Sequence, residues 1–250
     1  MKHKLTTKAL IIGLGIIAIC STILVSADHQ LACEGQPVND NLPITAAQQI
    51  FGERLIGQSF ISPVDNLNRI DLFLQTYDRR NTEDVLLRLL EIPKEVVNPL
   101  EGTEVFQTSF NASTVKDKTW HSFYLPQPIH STGKTYLIAL QSPNSQDGNA
   151  ITIGGIQQNV YTSGDAFIYA PDLAFPQLTP IPGDMMFRVC YDLAFNEKME
   201  VLLNELGANR PALWGSRGFY LTVVGIYFVL VFGFLWRLGL TYDTKSDTAK

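Results

Sequence analysis

The chain has 250 residues and a formal net charge of −5. Hydrophobic residues make up 46% and charged residues only 17%, against about 25% charged in soluble domains, so part of the sequence is not written for water. The same figures exclude a mostly disordered chain. Three cysteines exclude a disulfide-rich scaffold or a four-cysteine zinc site. The acidic balance excludes a broad nucleic-acid-binding surface.

Residues 1–27 open with Lys2, Lys4 and Lys8, followed by an uncharged run of 18 residues from Leu10 to Ala27. About 20 helical residues cross a bilayer core. The run reads either as a retained anchor or as a secretory signal peptide, with Val25-Ser26-Ala27 offering small residues ahead of cleavage at Asp28. Residues 28–51 are polar, contain Pro37 and Pro43, and read as an extracytoplasmic arm.

Residues 52–193 change pattern. Short runs rich in β-branched and aromatic residues recur: Leu55–Ile61, Arg69–Tyr77, Val85–Ile92, Val105–Phe110, Thr119–Leu125, Thr135–Ser142, Ala150–Ile153, Ala166–Tyr169 and Met185–Asp192. Ile70, Leu72 and Leu74 alternate with Asp71, Phe73 and Gln75, and Phe187, Val189 and Tyr191 alternate with Arg188, Cys190 and Asp192. Period two is the pattern of a half-buried antiparallel strand. Turn residues separate the runs, as in Asp78-Arg79-Arg80-Asn81, Gln146-Asp147-Gly148-Asn149 and Pro182-Gly183-Asp184. The expected fold class is all-β: an antiparallel β-sandwich of jelly-roll type flanked by two transmembrane helices.

Residues 194–216 form a stem. Phe195, Met199, Leu202, Leu203 and Leu206 fall at helical spacing ahead of Gly207, and Arg210-Pro211 then breaks the chain. It reads as packing on the bilayer or the domain base, or as a docking helix for a partner subunit. Residues 217–237 contain an uncharged stretch of 19 residues, Gly218 to Trp236, fenced by Arg217 and Arg237. This is the expected second transmembrane helix, with aromatic residues suited to a membrane interface. Residues 238–250 form a short tail.

Two blocks carry a resemblance. One is Gln58-Ser59-Phe60, Leu67-Asn68-Arg69-Ile70-Asp71, Thr76 to Thr82 and Leu87-Arg88-Leu89; the other is Trp120-His121-Ser122-Phe123, Pro128-Ile129, Gly133-Lys134-Thr135-Tyr136 and Leu140-Gln141-Ser142-Pro143. Together they resemble the extracytoplasmic jelly-roll modules, galactose-binding-like in shape, attached to bacterial membrane proteins, some of them in envelope polysaccharide synthesis. The resemblance covers roughly residues 52–192 and implies a fold more than a function. The glycosyltransferase portion of such proteins has no counterpart in the sequence. Jelly rolls of this shape often carry a structural calcium, for which Asp147 and Asn149 with Asp165 are the oxygen donors at hand. A plain turn is the competing reading of the same residues.

Catalytic motifs are missing from the sequence: it has no Gly-x-Ser-x-Gly, phosphate loop, His-Glu-x-x-His or Cys-x-x-Cys. Neither His121 nor His130 has a metal-binding neighbour at ligand spacing, and His121 reads as an exposed strand residue. Tyr77, Arg79, Arg80, Asn81 and Trp120 are the candidate ligand-binding residues. Aromatic faces stack on sugar rings, and Arg and Asn donate to hydroxyls in fixed geometry. Cys33 and Cys190 are the cysteines outside the apolar runs, and a bridge is expected between them, with the arm crossing the outside of the last strand.

The expectation is therefore a non-catalytic, membrane-anchored binding module for an envelope glycan or glycolipid. The alternative is a structural accessory subunit whose sandwich covers partner proteins, docked through the transmembrane and stem helices. Membrane lipid is a partner in either case, nucleic acid in neither, and no cofactor is expected beyond the calcium. Residues 28–216 hold 12 Lys and Arg against 22 Asp and Glu, whereas residues 1–8 hold three Lys and no acid. The positive-inside rule then places the domain outside the cell membrane and, if the first run is retained, both termini in the cytoplasm. Protease added to spheroplasts is expected to digest the domain and spare a tag on Lys250. A mature chain beginning at Asp28 would replace the two-anchor arrangement with a single span.

Overall fold

The computed structural model describes residues 33–35, 44–46, 48–95, 98–173 and 175–207, with isolated positions between 218 and 233. Contacts divide the chain into one unit from Cys33 to Asp192 and a second made of the segments flanking it.

The first unit is an antiparallel β-sandwich. Its strands are β1 (Cys33–Gly35), β2 (Ile44–Ala46), β3 (Leu55–Ile61), β4 (Leu67–Gln75), β5 (Asp84–Ile92), β6 (Thr103–Asn111), β7 (Thr119–Ile129), β8 (Thr135–Gln141), β9 (Thr152–Ile156), β10 (Ala166–Ala170), β11 (Phe175–Ile181), β12 (Asp184–Met185) and β13 (Phe187–Tyr191). Six strands form one sheet in the order β11-β10-β3-β8-β5-β6, and the other seven form the second. From β3 to β13 the chain changes sheet at nearly every connection, β5 to β6 and β10 to β11 being the hairpins that stay within one. That alternation lets each sheet hide one apolar face against the other.

Alternation along the strands selects the core. Ile70, Leu72 and Leu74 of β4, and Phe187 and Val189 of β13, are fully buried from one sheet. Ile56 and Phe60 of β3, Leu87 and Leu89 of β5, and Ile138 and Leu140 of β8 meet them from the other. Phe60 stacks on Tyr136 at 5.4 Å and lies 6.1 Å from Phe187, while Tyr161 meets Phe187 edge-on at 5.2 Å. Burial pushes the Tyr161 phenol up to about 12 and raises Tyr136 and Tyr191 as well, so all three stay neutral in the core.

The expected final strand, Met185–Asp192, divides at Met186. Its first half pairs with β9 and its second with β4. Met186 joins them: its carbonyl accepts from Phe73 N–H at 3.0 Å and its N–H donates to Gly154 at 2.7 Å. A Cβ on Gly154 would lie 2.7 Å from the Phe73 ring, which is why this crossing carries a glycine.

Three strands depart from the sequence reading. The segment β11 contains Pro176 and Pro180, and it sits at the sheet edge, where missing N–H donors are tolerated. The arm is not a plain linker, since β1 and β2 both join the seven-stranded sheet. Nor does the arm cross the outside of the last strand: β1 lies beside β13 as an edge strand, with Cys33 directly opposite Cys190. The expected disulfide is present between them, with Cα atoms 4.0 Å apart.

In the second unit, the expected stem helix is α1 (Phe195–Gly207), and Glu197 accepts from the Ala194 N–H at its start at 2.8 Å. Among the described residues no helix is long and apolar enough to cross a membrane. The first apolar run lies outside the described residues. So does the second except at isolated positions, which are helical.

The bridge spans 157 residues, a loop for which chain entropy gives about 5 kcal/mol of stabilisation. Replacing both cysteines by Ser is expected to lower the unfolding midpoint by roughly 10 °C. Non-reducing peptide mapping of the wild type should recover the Cys33–Cys190 pair, and a midpoint that does not move would remove the bridge from the stability of the domain.

Candidate functional site

The outward face of the seven-stranded sheet is built by three neighbouring strands. Since Ile70, Leu72 and Leu74 point inward, Arg69, Asp71 and Phe73 point out. On one side β7 sets Tyr124 opposite Arg69, Ser122 opposite Asp71 and Trp120 opposite Phe73. On the other side β13 sets Arg188 opposite Asp71 and Cys190 opposite Arg69.

Asp71 is the centre of this face and is only 2% exposed. Arg69 Nε lies 3.0 Å from Asp71 Oδ1, and Arg69 Nη2 donates to Oδ2 at 3.2 Å. Arg188 Nε approaches the same carboxylate at 3.7 Å. Arg69 also donates from Nη2 to the sulfurs of Cys190 and Cys33, at 3.1 and 3.4 Å. Each guanidinium leans on an aromatic ring. Arg188 sits 4.1 Å from the Trp120 centroid, and Arg69 sits 5.7 Å from that of Tyr124. Phe73 braces Trp120 edge-on at 5.6 Å.

The result is a strip running Trp120, Arg188, Asp71, Arg69, Tyr124. Tyr124 is 66% exposed. Trp120 and Tyr124 are four residues apart on one strand, about 13 Å at strand rise. Two guanidiniums face one carboxylate, so the strip keeps one net positive charge. Planar donors between stacked rings suit hydroxyls and carboxylates of a sugar chain.

The residues expected from sequence divide. Tyr77 and Arg79 do come together in the turn after β4, with the guanidinium 4.7 Å from the ring. Tyr77 and Asp78 adopt left-handed backbone angles, φ 59° and 54°. Arg79 is already engaged, donating to Gln49 Oε1 at 2.9 Å and to the Ala150 carbonyl at 3.2 Å. Asn81 is 1% exposed and its amide donates to the Thr76 carbonyl, so it holds the turn and is not presented to a ligand. Arg80 is exposed. Trp120 packs with Phe73 and Arg188 on the sheet face. His121, expected to be an exposed strand residue, is half-buried. Its Nε2 lies 3.1 Å from Thr119 Oγ1, and burial lowers its pKa.

Two of the three calcium donors have side-chain partners of their own. Asp147 accepts from Gln49, and Asn149 bonds Thr82 through its backbone N–H and its hydroxyl. Asp165 is tied to Ser59 through its backbone. Among the described residues no group of three His, Cys, Asp or Glu side chains is placed to hold a metal ion.

Arg69, Asp71, Tyr124 and Arg188 were not among the expected site residues. Alternation alone marked Asp71 and Arg188 as outward-facing, but not as neighbours. No protein-family model matches the chain, and no curated protein sequence matches it.

Asp71→Asn keeps the shape of the side chain and removes the charge that both guanidiniums face. It is expected to cost about 3 kcal/mol of folding stability, the order seen when one member of a buried ion pair is removed, measured by denaturant unfolding. A change below about 0.5 kcal/mol, the range of ordinary surface substitutions, would mean that the strip does not depend on this carboxylate.

Proposed function

We propose that this chain is a membrane-anchored, extracytoplasmic binding module that holds an acidic envelope glycan or glycolipid on the outer strip of its seven-stranded sheet and performs no chemistry on it. The observation that carries this reading is the strip itself: two guanidiniums fixed by a shared carboxylate between two outward aromatic rings. Rigid rings and fixed planar donors bind sugars with little ordering cost. The net positive charge favours a glycan bearing carboxylates or phosphates over a neutral one.

Anchoring rests on the two uncharged runs of the sequence. Ile226, Tyr227 and Val229 support it, being 55%, 61% and 71% exposed at helical positions, an arrangement suited to lipid rather than water. The sheet-to-sheet alternation of the chain agrees with a jelly roll and with the resemblance to envelope-attached modules.

The test uses the full chain in mild detergent and acidic polysaccharide extracted from a bacterial envelope. Trp120→Ala combined with Tyr124→Ala is expected to weaken binding roughly tenfold or more, and Tyr124→Ala alone, at an exposed ring, to weaken it with little change in unfolding midpoint. Arg79→Ala with Arg80→Ala is expected to leave binding unchanged; a loss there instead would move the site to the turn after β4. A wild-type chain that binds no envelope polysaccharide, and that leaves the membrane only as a stable assembly, would favour the accessory-subunit reading.

A further inference from the structure

A second site lies between the sheets, on the face opposite the strip. A cleft of about 270 Å³ opens where β3, β10 and β11 of one sheet face β9 and β12 of the other. Its walls are apolar, chiefly Ile156, Ile168, Phe175, Ile181 and Met185. The turn at Pro182-Gly183 closes against Ile156, so tightly that a Cβ on Gly183 would lie 2.0 Å from the Ile156 carbonyl oxygen. The volume exceeds the about 150 Å³ of an apolar cavity that takes up benzene. It lies just under the range of drug-sized pockets, about 300 Å³ and more.

One acid interrupts this wall. Asp184 lines the cleft and is 3% exposed. Its Oδ2 accepts from the backbone N–H groups of Val160 and Tyr161 at 2.6 and 2.8 Å. Its Oδ1 is buried and has no hydrogen-bond partner among the described residues. The lining includes no Lys, Arg or His. A buried carboxylate oxygen left without a donor is costly. The partner fit for it is a donor brought by a ligand, and a cationic donor answers its charge as well.

We propose that the cleft binds a small cationic amphiphile, its apolar body between the sheets and its ammonium group on Asp184 Oδ1. This site is independent of the glycan strip, since it shares no residue with it and uses the inner faces of the sheets. Selectivity divides between the two parts. The apolar wall sets affinity for any chain of the right length, and Asp184 sets the preference for an amine over a carboxylate of equal length.

The experiment uses the full chain reconstituted in lipid nanodiscs, with hexylamine, hexanol and hexanoate as probes and saturation-transfer NMR titration as readout. Hexylamine is expected to bind about tenfold or more tighter than hexanoate, with hexanol between them. Asp184→Asn should abolish that order while leaving hexanol binding within about twofold. Ile181→Trp, on the edge strand that walls the cleft, should block all three probes; it carries the test if the Asp184 variant fails to fold. Equal binding of amine and carboxylate by the wild type would overturn the role of Asp184. No saturable binding of any probe, or binding that survives Ile181→Trp, would overturn the site.

Discussion

The strand from Asp184 to Tyr191 constrains nearly everything else in the sandwich. It pairs with β9 over its first residues and with β4 over its last, and Met186 is bonded to both neighbours at the change-over. Each residue past that point has one direction to face. Phe187 and Val189 go to the core, while Arg188 and Cys190 go to the outer face. Asp184, before the change-over, opens onto the cleft. A slip of one residue would turn every side chain over. The guanidinium would then enter the apolar core and Phe187 would leave its contacts with Phe60 and Tyr161. The hydrogen bonds of Met186 and the disulfide at Cys190 fix the register from two ends.

Asp71 and Asp184 lie on two strands of one sheet, both almost fully buried, and they contrast in how their charge is met. Asp71 is met by two side chains, each braced by an aromatic ring. Those side chains stay partly exposed, so the charge set is shared with the surface. Asp184 is met by backbone N–H groups on one oxygen only. The first arrangement answers the charge within the protein, two guanidiniums against one carboxylate. The second is incomplete within the protein, and that makes the cleft chemically particular in spite of its apolar walls.

Much of the sandwich was legible in the sequence, because its strands alternate cleanly. The segment 55–61 has the expected bounds, and the alternation of 70–75 and 187–191 correctly separates inward from outward residues. The disulfide was legible too, since Cys20 lies within the first apolar run and leaves Cys33 and Cys190 to pair. What failed was whatever a neighbour decides. The short strands β1 and β2 carry no periodicity of their own and exist by pairing with β13 and β9. The strand β11 is disguised by two prolines that only an edge position tolerates. Arg69 and Arg188 lie far apart in sequence, and the carboxylate between them becomes a site only when β4 and β13 are known to be adjacent. The turn at Tyr77–Asn81 drew attention through its composition; there the Asn81 amide and one Arg79 nitrogen bond within the fold.

The disulfide also decides how the domain carries tension. Cys33 is the first residue of the sandwich unit and Cys190 lies two residues before its end at Asp192. A pull applied through the chain on both sides therefore passes from one flanking segment to the other through a covalent link that bypasses the 157 residues of separation between the cysteines. Peeling of the edge strand β1 from β13, the usual first step when a sandwich is stretched from its ends, is blocked by the bond across that pair of strands. Extension stops at the bridge, so the strip and the cleft keep their shape under load. The domain is a shackle between its two flanking segments rather than a spring.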